Sequence, residues 1–117
     1  MRIAVVGACA SGKSTLIAGL REAGYEAHQV AQEHSYVPAM WQRINRPDVL
    51  VYLDANYEAI MARRPAFNFR PADLDEQNRR LAHARQNCDL YVDTSNLAPG
   101  EILDQALTFL NALDDQG

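Results

Sequence analysis

The residues with the most chemical content stand near the start of the chain. Gly7-Ala8-Cys9-Ala10-Ser11-Gly12-Lys13-Ser14 fits the spacing G-x-x-x-x-G-K-[ST]. Each residue type in that pattern has a use in holding phosphate. Glycine lets the backbone close around phosphate oxygens with no side chain between. Successive N–H groups in such a loop converge into an anion nest. A helix opening directly behind the loop adds the positive end of its dipole. The Lys13 ammonium can reach the terminal phosphates, and the Ser14 hydroxyl is a suitable ligand for Mg²⁺. The pattern is that of a phosphate-binding loop, or Walker A sequence. It makes Gly7, Ala8, Cys9, Ala10, Ser11, Gly12, Lys13 and Ser14 the candidate nucleotide-binding residues, with ATP and Mg²⁺ as the expected ligands. Lys13 is the only lysine in the chain. An Asn-Lys-x-Asp guanine motif therefore cannot occur, which favours ATP over GTP.

Phosphoryl transfer needs more than a phosphate cradle. It needs a carboxylate near the metal or the acceptor, and fixed cations where charge spreads over the transferring group. Two acids follow predicted strands. Glu33 has two readings, a general base or water-mediated Mg²⁺ partner, and a plain surface glutamate. Asp54 closes Val49-Leu50-Val51-Tyr52-Leu53 and is either a second metal candidate or a cap for the next helix. Of ten arginines, Arg63, Arg64, Arg70, Arg79, Arg80 and Arg85 fall within one stretch of 23 residues. Arg63, Arg64 and Arg70 flank the loop from Pro65 to Phe69, where they form either a cationic lid or solvated surface. Arg79, Arg80 and Arg85 read as solvated helix surface, because Asp73, Asp75 and Glu76 can pair with them along the helix.

The elements that must position these groups follow from patterning. Residues 2–6 are apolar on both faces, the signature of a buried parallel strand. Leu16, Ile17 and Leu20 mark a helix over 13–23, stopped by Gly24. Residues 25–31 alternate weakly as a second strand. Pro38 opens a short helix over 38–45, and Pro47 ends it. Residues 49–53 are the clearest strand. Asn56 caps a helix over 57–64 that Pro65 stops. Residues 66–70 are a loop, Pro71 opens a polar helix over roughly 72–86, and 89–93 form a fourth strand. Pro99 opens a last helix with the stripe Ile102, Leu103, Ala106, Leu107, Leu110 and Leu113. Asp114 onward reads as a polar tail. Strands alternating with helices imply an α/β, three-layer αβα fold with a mostly parallel sheet of about four strands. No linker or repeat divides residues 1–117, so one domain is expected.

Composition sets outer bounds. The 117 residues are 48% apolar and 22% charged, an ordinary globular mix. The net charge of −4 argues against broad, salt-driven binding to nucleic acid. No apolar run approaches the ~20 residues of a membrane span, and the short apolar start lacks a signal-peptide cleavage site. A cytoplasmic domain without membrane or nucleic-acid partners is the expectation. Two cysteines are too few for a disulfide scaffold. No His/Cys cluster has zinc-ligand spacing, and no G-x-S-x-G elbow occurs. Tyr36, Met40 and Trp41 are read as lining an acceptor pocket, packing on the sheet, or contacting a second copy in a homodimer.

Three stretches together resemble P-loop kinases of the nucleoside and nucleotide kinase-like group. They are Gly7 to Thr15, Arg46-Pro47-Asp48-Val49-Leu50-Val51-Tyr52-Leu53-Asp54 with its following arginine-bearing helix, and Cys88-Asp89-Leu90-Tyr91-Val92-Asp93-Thr94 with the C-terminal helix. The resemblance implies that Thr15 contacts the α-phosphate. It implies that the arginines after Asp54 close over the transferring phosphoryl group, and that Glu33 takes the proton of an acceptor hydroxyl. Only about 25 residues separate Gly24 from Val49, so four strands are expected where that group usually has five. The implied activity is transfer of the γ-phosphoryl group of Mg·ATP to a small-molecule acceptor. A nucleotide-binding module or slow ATPase, acting through a protein partner or dimer, is the alternative.

Overall fold

The computed structural model describes residues 1–116, excluding the side chains of residues 44, 45, 115 and 116. The elements run β1 (Arg2–Gly7), α1 (Lys13–Glu22), β2 (Glu26–Gln29), a single 3₁₀ turn (Gln32–His34), α2 (Met40–Asn45), β3 (Val49–Asp54), α3 (Tyr57–Arg63), α4 (Pro71–Asn87), β4 (Leu90–Asp93) and α5 (Pro99–Gln116). The fold is α/β. All strand pairs are parallel, in the order β2-β1-β3-β4.

Successive strand side chains leave on opposite faces of the sheet, and here both faces are buried. Ile3, Val5, Val51 and Leu53 face one way, joined by Leu16 and Leu20 of α1 and by Ile102, Ala106 and Leu110 of α5. Ala4, Val6, Leu50 and Tyr52 face the other way, joined by Trp41 of α2, Ile60 of α3, and Leu74, Leu81 and Ala84 of α4. The result is three layers with a core on each side of the sheet. α1 lies close on α5, because a Cβ at Gly19 would meet Leu103 Cδ2 at 2.7 Å. Among the described residues no helix is long and apolar enough to cross a membrane.

The strand order decides where a ligand can sit. From β1 the chain moves outward to β2, then returns across β1 to β3. Connections leave the carboxyl ends of β1 and β3 in opposite directions, so a crevice opens between them. The Gly7–Gly12 loop stands at that crevice.

Several boundaries differ from the sequence reading, for local reasons. β2 is shorter than 25–31, because the Tyr25 N–H closes α1 on Leu20 O and residues 32–34 turn away as the 3₁₀ element. α2 starts at Met40, not Pro38. The Val37 N–H binds Ser35 Oγ and the Met40 N–H binds Val37 O, so a turn precedes the helix. Pro71 is the first residue of α4 itself, where a missing N–H is harmless. α5 continues through Asp114 to Gln116, where a polar tail was expected. Asp114, Asp115 and Gln116 include no proline or glycine, so nothing in that stretch breaks the helix.

Candidate functional site

Gly7 ends β1 and cannot be another residue without rearrangement. A Cβ there would lie 2.3 Å from Leu53 O and 2.7 Å from Ser11 Oγ. Ala10 (φ 59°) and Gly12 (φ 106°) are both left-handed, which folds the loop back toward α1. The space around Gly12 is open apart from an ordinary contact with Ile102, so glycine is favoured there by backbone conformation alone. Helix α1 opens at Lys13, whose side chain turns back over the loop it follows. Its ammonium donates to Gly7 O at 2.6 Å and to Glu33 Oε2.

Glu33 comes to Lys13 because its neighbour is anchored. The Gln32 amide donates to Val37 O at 2.8 Å and to Arg80 O at 3.2 Å, and its Oε1 accepts the Trp41 N–H. Arg80 Nη1 donates to Glu33 O at 3.3 Å. The 3₁₀ turn is thereby fixed between α2 and α4 with Glu33 turned inward, 2% exposed. Glu33 Oε1 is buried and makes no hydrogen bond among the described residues, and neither does Ser11 Oγ.

A second network fixes the other side of the loop. Arg63 Nη1 donates to Ala10 O at 2.8 Å and Thr94 Oγ1 at 3.2 Å, and Nη2 donates to Thr94 O. Thr94, fully buried, places its hydroxyl 2.8 Å from Ser11 O and 3.1 Å from Asp54 O. The ends of β3, β4 and α3 are tied to the loop through these two side chains.

Lys13, Ser14, Thr15, Glu33, Arg63 and Arg64 all line one cleft of about 330 Å³. Ser14 and Thr15 are exposed at the start of α1, with hydroxyls of the kind that ligate a hard cation or a phosphate. Arg64 lies over the Phe67 ring, 5.8 Å from its centroid. An apolar cavity of about 230 Å³, walled by Leu97, Pro99 and Ile102, adjoins the cleft at Gly12, Thr15 and Arg63. A third cavity, of about 300 Å³, meets the cleft at Cys9 and His34 and extends to Phe67, Phe69 and Arg80.

Two candidate residues stand apart from the cleft. Arg70 precedes α4, exposed, and pairs with Asp73, whose carboxyl it holds below the usual carboxylate range by hydrogen bonding. Asp54 Oδ2 accepts the Tyr91 hydroxyl. Burial first, and this bond second, push Tyr91 up to about 12. Asn56, not Asp54, caps α3, its Oδ1 accepting the Ala59 N–H at 2.8 Å.

Other residues resolve simply. Trp41 is buried and donates to His83 Nδ1 at 3.1 Å, so it is core and does not share a surface with Tyr36. Glu76 pairs with Arg79 and Arg80, as the helix spacing suggested, but Arg80 is not solvated surface: its side chain is only 19% exposed, because it packs on the 3₁₀ turn through Glu33 O and the Tyr36 ring. Arg85 lies over the Tyr91 ring. Sequence reasoning missed Gln77 and Thr94. Gln77 Oε1 accepts the Cys9 N–H at 3.0 Å, and its Nε2 donates to Cys9 Sγ at 3.1 Å. Its signal was position: Gln77 lies on the buried stripe of α4 with Leu74, Leu81 and Ala84. A comparison with protein-family models finds no match, and none among curated proteins matches either.

Proposed function

We propose that this protein is a P-loop kinase-like domain that binds Mg·ATP and transfers its γ-phosphoryl group to a small-molecule acceptor. One observation carries the reading. The only lysine of the chain is buried at the mouth of the Gly7–Gly12 loop, on a glycine carbonyl and a buried carboxylate, and lines the same cleft as two hydroxyls and two arginines.

The roles follow from chemistry. A buried ammonium in a phosphate-sized cleft exchanges its internal partners for phosphate oxygens without first being stripped of water. Ser14 and Thr15 present hydroxyls toward the same volume. Ser14 is the residue suited to a Mg²⁺ ion, which would neutralise charge on the phosphates. The apolar walls at Leu97, Pro99 and Ile102, beside Thr15, suit a purine base. The cavity beyond Cys9 and His34 suits the acceptor. There the acceptor hydroxyl attacks the γ-phosphorus, the bond to ADP breaks, and Glu33 takes the hydroxyl proton. Of the two arginines described in the cleft, Arg64 is the one not held by the loop, and it stabilises charge on the transferring group.

A second reading has its own support. Arg63 is held by three hydrogen bonds to Ala10 and Thr94. A guanidinium so engaged braces the loop, which favours a nucleotide-binding module or slow ATPase that acts through a partner.

The test is ADP formation from Mg·ATP, alone and against nucleosides, nucleoside monophosphates and small hydroxylated metabolites. An acceptor-dependent rise supports the kinase. ADP formation indifferent to every acceptor supports the module. Tight nucleotide binding by a folded Lys13→Ala variant would overturn both readings.

A further inference from the structure

We propose that Cys9, Glu33 and His34 form a binding site for a thiophilic divalent cation, with Zn²⁺ as the best match. Cys9 Sγ lies 3.8 Å from His34 Nε2. His34 Nε2 lies 4.0 Å from Glu33 Oε2. The three donor atoms all fall within 4.8 Å of one another. With Zn–S of about 2.3 Å and Zn–N of about 2.0–2.1 Å, a tetrahedral angle separates sulfur from nitrogen by about 3.5 Å. The Cys9–His34 edge is therefore within a few tenths of an ångström of closing on one ion, and the Glu33 carboxylate, 4.0 Å from His34 Nε2, must move in by more than that to complete the set. Sequence spacing hid it, because Cys9 and His34 are 25 positions apart and meet only through the parallel pairing of β1 with β2.

The donor set selects the ion. A thiolate, an imidazole and a carboxylate suit Zn²⁺, whereas Mg²⁺ takes oxygen ligands and avoids sulfur. Three protein ligands leave a fourth position open, the pattern of sites that take water or substrate. The trio stands where the cleft and the Phe67–Phe69 cavity meet, so that position is reachable from both.

Two further observations point to a cation. Gln77, 7% exposed, holds Cys9 by accepting its N–H and donating to its sulfur. Such outer partners orient a metal ligand before the ion arrives. Glu33 Oε1 is buried without a hydrogen-bond partner among the described residues. A buried carboxylate oxygen left bare is unfavourable, and a cation held by that carboxylate relieves it. A bound ion also competes with Lys13 for Glu33, so the site is coupled to the lysine at the mouth of the loop.

The experiment is titration of the metal-free, reduced protein with Co²⁺ and then Zn²⁺, without nucleotide. Equimolar Co²⁺ is expected to give a thiolate-to-cobalt charge-transfer band with the intense visible absorption of four-coordinate cobalt. Cys9→Ser should abolish the band and Cys88→Ser should keep it. His34→Ala, at an exposed side chain that leaves the fold intact, should weaken Zn²⁺ binding by more than the roughly 10–100-fold typical of losing an outer partner. A wild-type protein without the sulfur band, a band surviving Cys9→Ser, or unchanged Zn²⁺ affinity in His34→Ala would each overturn the proposal. None of these readouts involves nucleotide, so the result is separate from the fate of the kinase reading.

Discussion

Lys13 and Glu33 form an ion pair closed off from solvent on both sides, their side chains 5% and 3% exposed. Removing two charges from water is expensive, and their attraction offsets that only while both are present. Lys13→Ala should therefore destabilise the fold by about 3–5 kcal/mol, the usual result of leaving one buried charge unpaired. The double variant Lys13→Met/Glu33→Leu should recover most of that loss, because apolar groups of similar volume replace the pair. Urea denaturation of the three proteins checks this. A single variant as stable as the parent would mean that water reaches Glu33.

Gly7 and Gly24 should respond differently to alanine. At Gly7 the new methyl would press on Leu53 O, a backbone atom of the central strand that cannot move aside cheaply. The cost is expected in the upper range for single substitutions, about 3 kcal/mol or more. At Gly24 nothing lies within 4 Å, and only its φ of 95° opposes a side chain, which costs about 1–2 kcal/mol. Equilibrium unfolding of Gly7→Ala and Gly24→Ala should separate them in that order. The reverse order would contradict the close approach of the loop to β3.

Much of this architecture could be read from residue types. Val49 to Leu53 is apolar on both faces, and such a run has few places to go other than the middle of a parallel sheet. The loop from Gly7 to Gly12 was legible because its glycines and lysine are local requirements. The inward turn of Glu33 was not, because it depends on Gln32, which is held by Trp41 across an irregular loop and by Arg80, 48 positions away. The separation of Arg63, Arg64 and Arg70 was also invisible. All three are near one loop, yet Arg63 lines the cleft while bracing Thr94, Arg64 lines it over the Phe67 ring, and Arg70 stands apart, paired with Asp73. Side-chain partners of that kind are settled by tertiary packing and leave no periodic trace.

Tyr91 gives a prediction at alkaline pH. Its folded value is raised to about 12 against an ordinary 10, first by partial desolvation of a residue that is still 42% exposed and then by its bond to Asp54. A raised group contributes stability that is whole below its unfolded value and is lost as pH rises through the folded one. Between pH 10 and about 12 the unfolded chain therefore ionises first, and stability falls. Tyr91→Phe should flatten that decline without changing the profile near neutrality. Denaturation midpoints measured across the alkaline range check the slope. Parallel curves for the two proteins would mean that Tyr91 titrates normally.

Arg64 separates the two functional readings. It lines the cleft, and its guanidinium is engaged by the Phe67 ring rather than by backbone carbonyls. It is thus the arginine best able to turn toward a phosphoryl group as charge develops there. An interaction made only in the transition state affects turnover and leaves ground-state affinity nearly unchanged. If transfer occurs, Arg64→Ala should lower kcat by roughly 10³-fold or more, the scale of an arginine contributed to phosphoryl transfer, with nucleotide affinity changed by less than about threefold. If the domain only holds nucleotide, the same substitution should shift affinity and leave the slow hydrolysis where it was. Arg63→Ala serves as the comparison. It frees Ala10 O and Thr94 O and so should reduce stability as well as binding, whereas Arg64→Ala should unfold at the same denaturant concentration as the parent. Isothermal titration with a non-hydrolysable ATP analogue, alongside the ADP assay, distinguishes the two arginines.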